Sequence, residues 1–89
     1  MTNNNKYKAI AEIHGYILGV YSKEGKNGEY RILSVKSGFE GNSNFPILLP
    51  KKFWNKITQE DSGSQILVQA YMNDSDFGIN LVLFYGEFI

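Results

Sequence analysis

Lys23, Lys26 and Arg31 are interleaved with Tyr21 and Tyr30 in the stretch GVYSKEGKNGEYR, residues 19–31. A protein that holds an unpaired polynucleotide without reading its sequence needs cations that follow the phosphates. It also needs flat side chains on which bases stack, because every base has a π-face. Gly19, Gly25 and Gly28 would let such a segment bend around a strand. The same composition suits a solvated hairpin tip, where Gly and Asn reverse the chain and charges keep it wet. Both readings stand at this point.

The rest of the chain offers little reaction chemistry. It has no Gly-rich phosphate loop, no nucleophile elbow and no pair of carboxylates with a reason to meet, so an enzyme is not expected. With no Cys and one His the usual zinc cage cannot be built, and NDSDFG (73–78) lacks the glycine offset and closing Glu of a calcium loop. No cofactor or metal is expected. His14 has no evident nucleophile, acid partner or second ligand and reads as a packed or exposed histidine. Lys51, Lys52 and Lys56 surround Phe53 and Trp54, and either extend a basic track or form the wet face of a helix whose rings plug the core.

These residues must be positioned by one small domain, since 89 residues supply a single core. Tyr7 to Tyr21 is mostly apolar or small and reads as a long first strand. Gly15 and Gly19 within it mark bends or close backbone approach. Ser22–Glu29 reads as a turn, and YRILSVK (30–36) as a second strand that sets Ile32, Ser34 and Lys36 against Leu33 and Val35. FPILL (45–49) is a short third strand whose Pro46 belongs on an edge or at a bulge. In PKKFWNKITQ (50–59) the period changes: Pro50 suits a first helical position, and Leu49, Phe53 and Ile57 recur at intervals of four. QILVQAYM (65–72) and INLVLFYGEF (79–88) read as strands four and five, and residues 1–6 as a disordered start. Three strands, one short helix and a two-stranded hairpin is the order of the OB-fold, a mainly β, five-stranded Greek-key barrel. An SH3-like barrel or a split sheet under a helix suits the string less well. In strand five Ile79, Leu81 and Leu83 alternate with Val82, Phe84 and Phe88, so both faces call for burial. Either a second subunit or the helix and N-terminal segment would cover the outer one.

Formal charge is zero, yet residues 1–56 hold all nine Lys and Arg against four acids, a net of +5, and residues 57–89 hold five acids and no base. Salt screens exposed charges beyond about 8 Å, so a polyanion would feel a local patch rather than the sum. No stretch approaches the roughly 20 apolar residues of a membrane span, and MTNNNKYK lacks the apolar core of a secretion signal. A cytoplasmic location is expected, in a cell or for something replicating inside one.

Three segments resemble the small single-stranded DNA-binding proteins of filamentous phages. SKEGKNGEY (22–30) resembles that family's basic, Gly-containing binding hairpin, ending in Tyr30. NFPILL (44–49) is similar to its aromatic-Pro-apolar strand, which maps to Phe45, and DFGINL (76–81) to the aromatic-Gly tip of its last hairpin, which maps to Phe77 in a segment that helps form the family's dimer. Gly28 and Glu29 lengthen the first loop relative to that pattern, and acids flank Phe77. The PKKFWNKI segment and GSQILVQAYM resemble bacterial replicative single-strand binders instead. The resemblance implies a homodimer that binds single-stranded DNA during replication or recombination of a phage or mobile element, with Tyr30, Phe45 and Phe77 as stacking residues; the chemistry of the first hairpin adds Tyr21, Lys23, Lys26 and Arg31 as contact residues. A protein-interaction module, holding a replication protein or inhibiting a host factor, is the alternative reading, and RNA binding a third.

Overall fold

Strand β1 (Ile10–Gly25) is the element on which the barrel closes. Its first half pairs antiparallel with β4 (Gln65–Ser75) and its second half with β2 (Gly28–Ser37), and Gly15 and Tyr16 take part in both ladders. Strand β3 (Asn44–Leu49) lies antiparallel to β2, and β5 (Gly78–Phe88) antiparallel to β4. Ile47 and Leu48 then pair in parallel with Leu81 and Val82, which closes the ring in the order β1-β2-β3-β5-β4. This is the OB-fold expected from the sequence. Pro46 lies just outside the short β3–β5 ladder, where its missing N–H is not needed. The structure, a computed structural model, describes residues 10–37, 44–75 and 78–89. The expectation for residues 1–6 lies outside them.

Gly15 sits where β1 passes from one neighbour to the other. A Cβ there would fall far inside contact distance of the Lys36 carbonyl, which is backbone and cannot swing away. Two residues further on, β1 carries a bulge between Ile17 and Gly19. Before it Ile13 and Ile17 point inward; after it Val20 packs on the core instead. The even residues therefore take over the inner face, and Tyr21 and Lys23 are turned outward. Leu33 and Val35 of β2, Ile47 and Leu49 of β3, Ile66 and Val68 of β4 and Leu83 of β5 complete the interior, and no buried side chain among the described residues is polar.

Two expectations need correction. Residues 22–29 are not a broad turn: pairing continues through Ser22–Arg31, Lys23–Tyr30 and Glu24–Glu29 to Gly25–Gly28, so only Lys26 and Asn27 reverse the chain. Gly28, at φ +108°, supplies the left-handed residue that closes such a hairpin. Likewise the 50–59 segment is not one helix but two 3₁₀ turns, Lys51–Phe53 and Gln59–Asp61. Pro50 stays extended as a cap rather than entering the first turn. Thr58, extended at φ −129° and ψ 173°, ends any continuation, and its side chain caps the second turn. The apolar spacing held nonetheless, since Leu49, Phe53 and Ile57 all pack on the core.

Gly15→Ala is expected to destabilise the barrel by about 1–3 kcal/mol, the range for forced overpacking. Gly19→Ala should cost clearly less, because its Cβ would meet only the ends of the Tyr21 and Gln59 side chains. Denaturant unfolding of both variants checks the contrast; equal losses would show that Gly15 is not the tight point.

Candidate nucleic-acid interface

Side chains alternate across a strand, so the ladder between β1 and β2 fixes which residues share a face. Tyr16 opposite Lys36, Gly19 opposite Ser34, Tyr21 opposite Ile32 and Lys23 opposite Tyr30 form one continuous outer face. On β3 the same face carries Pro46 and Leu48. Ile32, Leu48, Val82 and Tyr71 then stand in register across four strands. Leu48 and Tyr30 are 39% and 37% exposed and Tyr21 is 49% exposed, so this apolar row is open to solvent at its β1–β2–β3 end. At its other end Tyr71 meets Phe84, ring centroids 6.4 Å apart.

A groove of ≈ 340 Å³ lies over this row between the two hairpins. Tyr30, Ile32, Pro46, Leu48 and Val82 make an apolar floor and wall, and Asn73 and Asn80, cross-strand partners, bring carboxamides to its rim. Rings and methyls below with amides at the edge is a surface that accepts the flat face of a base while offering hydrogen bonds to its perimeter. The outer face of strands 2–3 between the 1–2 and 4–5 loops is where OB barrels hold oligonucleotides.

Arg31 is turned to the other side of β2. Its guanidinium lies 4.3 Å above the Trp54 ring and its Nε–H donates to Glu29 Oε2 at 3.1 Å. Lys51 Nζ stands 5.8 Å from the same ring, and the ring is fixed by Trp54 Nε1–H donating to the Leu49 carbonyl at 2.8 Å. Ser22 also donates to Glu29 Oε2. The remaining outer face, formed by the first half of β1 with β4 and the end of β5, bears Glu12 and Glu87 and, among the described residues, no Lys or Arg. Glu12 binds His14 Nε2 at 2.8 Å and accepts from Gln69 at 2.9 Å. Among the described residues no group of three His, Cys, Asp or Glu is placed to hold a metal ion.

The sequence-predicted residues thus separate. Tyr21, Lys23 and Tyr30 share the outer face, and Lys26 stands exposed at the tip of the β1–β2 arm. Arg31 belongs to the reverse face. Phe45 pairs with the inward-pointing Val35 and packs against the core, so it does not join Tyr30. Phe77 lies outside the described residues. Tyr16, Ile32, Lys36 and Leu48 of the outer face were missed, although the alternation of Tyr30, Ile32, Ser34 and Lys36 along one strand was a signal for Ile32 and Lys36.

Two crystal structures of the mitochondrial single-stranded DNA binding protein Rim1 from S. cerevisiae share this architecture, with TM-scores of 0.75 and 0.73. They are 17% and 16% identical to the chain; each match covers 92% of it and 94% and 96% of the yeast chains. The likeness is one of fold. No family model and no curated protein matches the chain.

Glu29 is held below the ordinary carboxylate range, first by the Ser22 hydroxyl and then by Arg31; Glu12 is lowered by His14 and Gln69. Because the folded values are depressed, these bonds contribute to stability above the ordinary Glu pKa, and the contribution is lost as pH falls through the folded value. Carboxyl-carbon NMR titration should place both midpoints below those of the unfolded chain, and Ser22→Ala should raise that of Glu29. An unmoved midpoint would remove the hydroxyl as the main cause.

Proposed function

We propose that this chain binds single-stranded DNA without sequence preference along the outer face of β1, β2 and β3. The observation that carries the reading is the shared face: Tyr21, Tyr30, Ile32 and Leu48 are solvent-facing platforms, bordered by Lys23 and Lys36 and leading into the groove between the hairpins. Bases stack on the rings and apolar side chains, and Lys23, Lys26 and Lys36 follow the phosphates. The likeness to the yeast single-strand binder supports the same use of the barrel. The chain works where DNA is transiently unpaired, in replication or recombination; the setting of a phage or mobile element, in the cytoplasm of a bacterial or infected cell, rests on the motif resemblance. It carries out no reaction of its own.

A homo-oligomer, with the dimer as the first case, fits strand β5. Phe84, Tyr85 and Phe88 are all exposed on it and Ile89 follows, 72% exposed. Tyr85 stands opposite Gln69 and Phe88 opposite Ile66, so the rings take alternate sides of the strand, and large apolar side chains left exposed in this number on a small barrel mark a protein contact. The same exposure favours the second reading, in which β5 holds a replication protein or host factor rather than another copy.

Titration with oligo(dT) at two salt concentrations, alongside a solution mass measurement, tests both parts. Affinity should fall with salt with a slope of about −0.7 per phosphate contacted, and Lys36→Gln should flatten that slope by about 0.7. Tyr30→Ala should weaken binding by about 1–3 kcal/mol with the fold intact. Oligo(rU) in parallel shows whether a 2′-OH is preferred. No affinity for either oligonucleotide, with a defined complex or oligomer, would leave the interaction reading in its place.

A further inference from the structure

We infer that Arg31 and Lys51, gathered over Trp54 at the root of the arm, form a second phosphate subsite that a long single strand reaches after leaving the stacking face. The inference rests on the nucleic-acid reading above and adds to it a second contact on a different side of the molecule. Residues 30 and 31 are neighbours on β2, so Tyr30 and Arg31 stand on opposite faces of the ribbon. Beyond Arg31, which pairs with Leu49 at the end of β3, β2 has no described partner except β1. The two faces are therefore separated by only the width of a two-stranded arm and the end of β3.

The guanidinium is preset for an anion. Glu29 accepts from its Nε–H and Trp54 lies beneath its plane, which fixes position and tilt; its terminal N–H groups make no hydrogen bond among the described residues. Two terminal donors in a rigid fork match the oxygens of one phosphate. Lys51 Nζ, above the same ring, adds a second cation. Glu24 and Glu29 face each other across the arm nearer its tip. The Glu29 carboxylate reaches back to Ser22 and Arg31 at the root, so an anion is admitted there on the side of the guanidinium's terminal N–H groups. Stacking of a base is not what the site is built for, since the indole already carries the guanidinium.

Trp54 is the only tryptophan in the chain, so its emission reports this subsite separately from the tyrosines of the stacking face. The test uses oligo(dT) of about 4 and about 16 nucleotides, the limits of what one OB barrel engages. The short ligand should quench tyrosine and leave Trp54 unchanged; the long one should perturb both. The double variant Arg31→Gln, Lys51→Gln should leave affinity for the short ligand unaltered. For the long one it should lower the salt slope by about 1.4, the loss of two phosphate contacts. Should the double variant misfold, Lys51→Gln alone, on an exposed turn, should lower that slope by about 0.7. Unchanged long-oligomer slopes, or equal losses at both lengths, would overturn the subsite while leaving the stacking face in place. A wild-type chain that binds neither length would remove the stacking face and the subsite together.

Discussion

The one-residue bulge at Leu18 decides which way the arm faces. A strand offers its side chains to opposite sides in strict alternation, so an unbroken β1 with Ile13 and Ile17 inward would also turn Tyr21 and Lys23 inward. The extra residue inverts the alternation once, and everything beyond it, up to the tip at Lys26, inherits the new sense. A bulge leaves backbone groups without ladder partners, and a buried unsatisfied group costs about 1–3 kcal/mol. Here the second 3₁₀ turn and the residues that follow it supply the partners. Gln59 Oε1 accepts from Val20 N–H at 2.7 Å, Ser64 accepts from Ile17 N–H at 2.9 Å, and Gly63 N–H donates to the Ile17 carbonyl at 2.7 Å. The polar connection between β3 and β4 thus acts as the clamp that holds the arm's orientation.

Once the faces are set, magnitudes separate their roles. Base stacking on an exposed ring is worth about 1–3 kcal/mol, whereas an exposed cation above an aromatic ring contributes about 0.5–1 kcal/mol. Affinity on the outer face is therefore carried by Tyr21, Tyr30 and the apolar row behind them, and the lysines add salt dependence and faster encounter. On the reverse face the balance differs. Arg31 on Trp54 is an internal contact that orders the guanidinium, and its value to a ligand lies in that order rather than in the ring itself.

The barrel was legible because the periodicities are clean. Leu33 and Val35 against Ile32, Ser34 and Lys36 gave a correct face assignment, and Gly15 announced a close backbone approach where the first strand passes from β4 to β2. The candidate site was legible only in part, for two physical reasons. Adjacent residues in a strand point apart, so grouping Lys23, Lys26 and Arg31 by proximity in sequence merged two faces. An aromatic-Pro motif also does not reveal which side its ring takes; Phe45 follows the register of Val35 into the core. In β5, pairing passes from Ala70–Leu83 to Gln69–Tyr85, skipping Phe84, and this second bulge breaks the alternation expected for that strand. Leu83 and Gly86 both face inward as a result, while Val82 is covered by its neighbours in the outer row and Phe84 stays exposed.

The balanced charge is reconciled with a polyanion ligand by distance. The protein extends 43 × 31 × 23 Å, several times the screening length of about 8 Å at physiological salt. Glu12 and Glu87 occupy the outer face of β4 and its flanking strands, whereas Lys23 and Lys26 lie at the opposite end of β1, where it pairs with β2 alone. A phosphate beside Lys23 or Lys36 is then governed by those cations and by the nearby Glu24 and Glu29, not by the zero sum. Lowering the salt lengthens the reach of every charge and brings the acidic side into play, which opposes the strengthening of the phosphate contacts.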